Sequence, residues 1–282
     1  MQEYYFLFAV GLAFTLFAVF QDIKKREIAN WLNFSLLAFA LGYRVFYSLL
    51  KNNYQFLFVG LLSLAIFFCI SNLLYYTRAF AGGDAKLLMA YSLIIPFQNY
   101  QDLIPISLIF TLTLFLGGTI YTLVYSIFIV KKNKEKFKKD FKSRVTKQNY
   151  LSLICLALSI TFAILVLKET FFIPLAVLFF IPLLYNYIKS IDSCMIKLKS
   201  PSELTEGDWL EEEINLKNKL IKKSVHGLSI EDIKFLKRHS KKALIKEGIP
   251  FSPAFLISFL FMVFSFLILK ESLFELALSF LP

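Results

Sequence analysis

YQFLFVGLLSLAIFFCISNLLYY, residues 54–76, is a run of apolar and aromatic side chains without a single Asp, Glu, Lys or Arg. About 20 such residues in a helix cross the ~30 Å hydrocarbon core of a bilayer. Backbone groups at that depth are satisfied only within helices or closed barrels, and a run this continuous reads as a helix. Outward from it, the same pattern recurs at 4–20, 31–50, 85–97, 103–130, 150–167, 171–188 and 251–269. A mean hydropathy of +0.64, with 57% hydrophobic and only 18% charged residues, excludes an ordinary globular chain. The expectation is an all-α, polytopic membrane helix bundle of about six to eight spans, carrying a small cytoplasmic α-rich domain.

Two of the eight runs are irregular. The 85–97 run would make about 20 Å of helix at ~1.5 Å per residue, too short to cross alone. The 103–130 run carries Gly117 and Gly118 at its middle, which predicts tilt or a bend. The first run lacks a basic flank and a small-residue cleavage site, so no cleavable signal peptide is expected.

Lys and Arg set the orientation. Lys24, Lys25 and Arg26 follow the first run, Arg78 and Lys86 bracket Gly82-Gly83, and residues 131–147 hold nine basic side chains. The opposite loops offer Lys51 and Lys168, with Arg44 snorkelling to that face. The positive-inside rule then places the N-terminus outside and the loops at 21–30, 77–84, 131–149 and 189–250 in the cytoplasm. This same bias, with attraction to anionic lipid headgroups, accounts for the net charge of +11. The basic run contains no recognisable nucleic-acid module, so lipid rather than nucleic acid is the expected partner.

The chain divides into a membrane core at 1–130, a basic cytoplasmic loop at 131–149, additional membrane helices at 150–188, a cytoplasmic domain at 189–250, and a C-terminal membrane helix and tail at 251–282. The cytoplasmic domain opens with Glu203, Glu206, Asp208, Glu211, Glu212 and Glu213 and no intervening base. Its second part, from Lys217, is basic and reads as one or two helices, with Ser229 as an N-cap ahead of Glu231 and Asp232. About sixty residues make a marginal core, so this domain is expected to lean on the membrane helices. The three cysteines are scattered and the two histidines lack Cys neighbours, which signals neither a zinc site nor a disulfide framework.

Of seven aspartates, two lie against apolar runs with small or glycine neighbours: Asp22 after the first, and Asp84 opening the short fourth. Topology puts both at the cytoplasmic face. An ionisable group set into a bundle defaults to a functional role. Two neighbouring carboxylates suit acid–base hydrolysis, one taking a proton from water and the other donating to the carbonyl oxygen or leaving amine. Such chemistry needs no cofactor and no metal. The plainer readings are that Asp84 is an N-cap and Asp22 a solvated charge near Lys25 and Arg26.

Asp22-Ile23-Lys24-Lys25-Arg26-Glu27-Ile28-Ala29-Asn30 resembles the D-x-(basic)-x-x-x-I-P-N signature of type IV prepilin peptidases. Ala81-Gly82-Gly83-Asp84-Ala85-Lys86-Leu87 resembles their G-x-G-D-x-K-L signature, whose G-x-G-D part is shared with presenilin-type proteases. Ala81 stands in place of the first Gly and Ala29 in place of the Pro, and the paired CxxC loop of the bacterial enzymes is missing. Leu204–Leu210 and Gly248–Phe255 resemble segments of the C-terminal extension of the archaeal, preflagellin-cleaving branch. The resemblance implies that Asp22 and Asp84 are the catalytic pair, supported by Ile28, Asn30, Gly82, Gly83 and Lys86. It implies a membrane aspartyl endopeptidase that cuts precursors with class III, prepilin-like signal peptides at the cytoplasmic face. The leaders of such substrates are basic, so Glu211, Glu212 and Glu213 are the expected leader contact. Helix dipoles would make Asp84, at a helix start, the ionised base and Asp22, at a helix end, the protonated acid. The alternative is a transporter or channel in which the two aspartates bind a proton or cation.

Overall fold

The computed structural model describes residues 2–269 except 78, 148, 167–172, 217, 218, 225 and 226. Arg78, Lys168, Lys217 and the tail 270–282 therefore lie outside the described residues. The chain forms two compact units, one of residues 1–123 and 249–282, the other of residues 124–248.

The first unit is built from α1 (Tyr5–Lys25), α2 (Asn30–Lys51), α3 (Tyr54–Tyr76), α4 (Gly82–Tyr91), most of α5 (Leu103–Lys132) and α10 (Ser252–Phe264), which runs into a π-helical turn at Ser265–Leu269. Among the described residues four helices, Tyr5–Lys25, Asn30–Lys51, Tyr54–Tyr76 and Tyr100–Lys132, are long and apolar enough to cross a membrane. Their outward positions are large and apolar: Phe17, Phe20, Leu50, Leu73 and Leu116 are all exposed. Inward positions mix large apolar residues such as Leu7, Phe8, Phe56 and Phe67 with small or polar ones: Gly11, Thr15 and Ala18 on α1, Gly60, Ser63 and Ser71 on α3. Large apolar side chains facing outward, with small or polar ones among those facing inward, suit lipid, where close helix approach, not water exclusion, drives association. The chain is an α-rich membrane protein.

The expected span at 85–97 is helical only over Gly82–Tyr91, and residues 92–97 form a buried, non-helical turn. Backbone of that kind inside a bundle needs side chains to take its carbonyls. Ser63 Oγ donates to the Ser92 carbonyl at 2.8 Å, and Tyr4 Oη donates to that of Phe97 at 2.7 Å. Arg44 takes two more and one of α3. Its Nε donates to the Leu93 carbonyl at 2.8 Å, Nη2 to that of Ile95 at 3.4 Å, and Nη1 to that of Phe56 at 2.7 Å. Arg44 is therefore fully buried with its guanidinium over the Phe56 ring, and the snorkelling expectation is corrected. Gly60 makes room for it, since a Cβ there would stand 2.6 Å from Arg44 Cδ.

The glycine pair of α5 makes room for a neighbour. The helix is continuous over Leu103–Lys132, and a Cβ on Gly118 would meet the tip of the Phe251 ring at 2.5 Å. The pair is a seat for the start of α10.

The second unit holds the end of α5, then α6 (Lys134–Lys147), α7 (Asn149–Val166), α8 (Ile173–Met195), and a small α/β part. The expected basic loop at 131–149 is largely the helix α6; Phe137 and Phe141, four apart, stack at 5.5 Å, and Phe137 meets Tyr187 of α8 edge-on. The α7 and α8 helices fall where the sixth and seventh spans were expected.

The small part corrects the all-α, α-rich expectation. Among its described residues five strands, β1 (Ile196–Lys199), β2 (Trp209–Leu210), β3 (Ile214–Leu216), β4 (Lys219–Ile221) and β5 (Ala243–Lys246), accompany one helix, α9 (Ile230–Arg238). The first sheet has the order β1-β5-β2, antiparallel, with Ile196 opposite Lys246 and Trp209 also opposite Lys246; β3 pairs with β4. Alternation decides it: in β5 Ala243 and Ile245 are buried while Leu244 and Lys246 are only partly so, a period of two that a helix cannot present on one face. The core is Leu204, Ile221, Leu228, Ile233, Leu236, Ala243 and Ile245. Ser229 caps α9 as expected, accepting from the Asp232 N–H at 3.2 Å. This sheet is tied to α8 through the Glu247 N–H to the Met195 carbonyl and the Lys246–Asp192 ion pair at 2.9 Å.

Candidate functional site

Asp22 lies on the inward stripe of α1 formed by Leu7, Gly11, Thr15 and Ala18, positions spaced by three and four so that they share one face. The helix does not stop before it. It continues through Lys25 and closes at Arg26 in a left-handed conformation, φ 59°, whose N–H returns to the Asp22 carbonyl. Asp22 is 7% exposed and Asp84 is 8% exposed. The chain brings them together: each is set in an apolar surround, and the Asp22 charge acts on the Asp84 carboxyl.

Asp84 is the third residue of α4, whose N-cap is Ala81, so the N-cap reading of Asp84 is corrected. Ala81 makes no side-chain cap, and its carbonyl is taken by the Ala85 N–H at 3.0 Å. Leu87, Leu88, Ala90 and Tyr91 are fully buried, which fixes α4 and with it the carboxylate at its start.

The two motif segments interlock. Lys86 Nζ donates to Asn30 Oδ1 at 2.6 Å. Gly83 packs against Ile28, where an added Cβ would come within 3.2 Å of the Ile28 Cβ and 3.5 Å of its backbone N and O. At position 83, therefore, only glycine lets the backbone come so close. Asn33 Nδ2 donates to the Gly83 carbonyl at 3.1 Å, and Gln21 Oε1 accepts from the Ala29 N–H at 3.1 Å. Ile28, Asn30, Gly83 and Lys86 thus join the aspartate-bearing segments. Gly82 stands apart from this interlock, with only the Tyr75 ring at 3.7 Å from the place a Cβ would take.

Sequence reasoning did not find Asn33, Gln21 or the start of α10. The Ser252 N–H donates to Asp22 Oδ2 at 3.0 Å. Asp22 consequently sees the N-terminal end of α10, where a carboxylate is favoured. This opposes the penalty that the last turn of α1 places on its charge. Arg26, whose charge also reaches Asp22, acts in the same sense.

Glu211, Glu212 and Glu213 sit in the second unit, after β2. Glu211 is half-buried, Glu212 and Glu213 are exposed, and none forms an ion pair among the described residues. Two of the acids earlier in that stretch are occupied: Asp208 pairs with Lys199 at 3.3 Å, and Glu203 Oε2 accepts from the Ser200 N–H.

The sequence model of the type IV leader peptidase family matches residues 9–130, a stretch that contains both aspartates. A preflagellin peptidase of Methanococcus voltae is 30% identical over 134 residues, 45% of this chain and 57% of that protein. Prepilin peptidase EppA of Methanothermobacter thermautotrophicus is 27% identical over 184 residues, 60% of this chain and 47% of that protein. The chain spans about half the length of these curated relatives. No solved structure matches it.

Proposed function

We propose that this chain, whose residues 9–130 belong to the type IV leader peptidase family, is a multi-pass membrane aspartyl endopeptidase. It removes short basic leaders from prepilin- or preflagellin-like precursors at the cytoplasmic face. The observation that carries this reading is the meeting of two buried carboxylates, Asp22 and Asp84, on segments locked together by Lys86–Asn30 and Ile28–Gly83. Two carboxyls in one apolar site cannot both ionise easily, so one is available as base and the other as acid. Asp22, held by the Ser252 N–H, takes the base role and orients water towards the scissile carbonyl. Asp84, without such a donor from α10, keeps the proton that it gives to the carbonyl oxygen or leaving amine. This reverses the roles expected from helix ends alone.

The basic stretches 24–26 and 131–147 support the cytoplasmic placement by the positive-inside rule. Glu211–Glu213 would attract a basic leader electrostatically. The direct test incubates purified protein in detergent with a preflagellin, an archaeal prepilin and a precursor with a Gln/Ser/Glu-type leader, and reads products by mass spectrometry. Cleavage between leader and apolar helix is the expected result; an intact set of precursors would sink the reading.

A further inference from the structure

The start of α10 lies 230 residues from Asp22 in sequence, and outside the stretch matched by the family. We propose that it forms a third wall of the aspartate site, in which Phe251, seated against Gly118, positions Ser252 so that its backbone N–H holds the Asp22 carboxylate.

Three observations converge on this. Ser252 is fully buried, and its N–H, one of the donors that a helix start leaves without an intrahelical partner, is taken up by Asp22 Oδ2. The residue after it, Pro253, has no N–H, so one fewer donor has to be satisfied in this buried turn. Second, the position of Ser252 is set by a close steric fit. The Phe251 ring tip occupies the space above Gly118, where any Cβ would come within 2.5 Å of Cε2 and Cζ. Ser258, on the same face of α10, donates to the Thr113 carbonyl of α5 at 3.3 Å.

Third, the same helix start touches the loop that leads into α4 and Asp84. Phe80, four residues before Asp84 and 3% exposed, has its ring 5.1 Å from that of Phe251 and 6.0 Å from that of Phe255. Tyr91, at the other end of α4, packs on Phe255 and Phe259 and shares a hydrogen bond with Thr15 of α1. The α10 helix is thus fitted against both aspartate-bearing elements. The groups facing Asp22 are the carboxyl of Asp84 from α4, Arg26 from the end of α1, and, from the start of α10, this N–H with the Ser252 hydroxyl and the Phe251 backbone N–H. A hydrogen bond to an ionised acceptor is among the stronger ones in a protein, and its loss shows directly in the acceptor.

The backbone donor cannot be deleted cleanly, so the test moves its seat. Gly118→Ala places a methyl group on the Phe251 ring tip. It should lower kcat about tenfold or more with KM unchanged, and adding Phe251→Leu, which removes the ring tip, should restore kcat. Gly42→Ala, where a Cβ meets nothing within 4 Å, is the control for the bare exchange. This activity arm rests on the peptidase reading. A second arm does not: in an Asp84→Asn background, the infrared carboxylate band of Asp22 in the resting protein should shift with Gly118→Ala and return with Phe251→Leu. If Gly118→Ala fails to accumulate in membranes, Phe251→Ala is read in both arms and should show the same kcat loss and band shift. An unshifted band, or a loss that Phe251→Leu does not relieve, overturns the proposal. Protein that cuts no precursor yet shows the shift and its relief overturns the peptidase reading alone.

Discussion

Arg44 Nε donates to the Leu93 carbonyl at 2.8 Å, and through this bond α2 finishes the short helix that α4 leaves incomplete. With Phe56 and Ile95, the guanidinium serves three carbonyls at once, a geometry that a lysine cannot reproduce. Arg44→Met should strand the Leu93 carbonyl at about 1–3 kcal/mol, and take one of two donors from that of Ile95, which the Phe97 N–H also serves, and from that of Phe56 within α3. Thermal unfolding in detergent should show a large fall for Arg44→Met and a smaller one for Arg44→Lys. Gly60→Ala should also destabilise, and far less so in an Arg44→Ala background, because its methyl collides with the arginine side chain. An Arg44→Met variant as stable as the parent would refute this account.

Both aspartates should be indispensable to cleavage. Asp22→Asn and Asp84→Asn should each reduce turnover by orders of magnitude, with insertion and melting nearly unchanged. The matched controls are Asp102, which accepts from the Asn99 N–H, Asp140, paired with Arg144, and Asp192, paired with Lys246; Asn at these positions should leave most activity. Wild-type processing by either dyad variant would remove the mechanism.

Neutralising Glu211, Glu212 and Glu213 to Gln together should raise the apparent KM for a basic-leader precursor and flatten its dependence on salt. These side chains carry no ion pair among the described residues, so their loss should leave the small sheet intact. Screening lengths of about 8 Å at physiological ionic strength make low salt the informative condition. Kinetics unchanged there would dispose of a leader-binding role.

The α9 segment should loosen in acid. Burial tends to raise Asp232, but the Lys219 ammonium at 2.7 Å and the Ser229 hydroxyl outweigh it and hold the carboxyl below its ordinary 3.8. A folded-state value below the unfolded one stabilises above the ordinary value, and the contribution fades as pH falls through the folded value. Amide exchange in β4 and α9 should therefore accelerate below the ordinary value, and Asp232→Asn should show fast exchange already at neutral pH. Exchange in Asp232→Asn that matches the parent at neutral pH would assign the acid sensitivity elsewhere.

Much of the site was legible because its signals are local. The glycine pair before Asp84, and Ile28-Ala29-Asn30 after Asp22, are short-range patterns, and the structure joins Ile28 to Gly83 and Asn30 to Lys86. The stripe Gly11, Thr15, Ala18 and Asp22 was also readable at helical spacing, and would have kept α1 running past Asp22. The stripe Leu36, Ala40, Arg44 and Ser48 would likewise have turned Arg44 inward. Other features leave no local trace. The donor to Asp22 is a backbone N–H from a distant helix, and no residue type marks it. The strands β2, β3 and β4 have two or three residues each, too few for a period of two to stand out among acids and lysines. The Phe137–Phe141 spacing, by contrast, was a helix signal outweighed by the surrounding charge.

The bond from Ser252 to Asp22 also imposes an order in time. A ribosome adding about 5–20 residues per second delivers Asp22, and soon afterwards Asp84, well before it delivers their last neighbour. The 230 residues that separate Asp22 from Ser252 take roughly 10–50 s to make at that pace. Throughout that interval the nascent protein holds both acids without the donor from α10. Completion of the surround of Asp22 is then tied to insertion of α10, the last described helix of its unit to leave the ribosome.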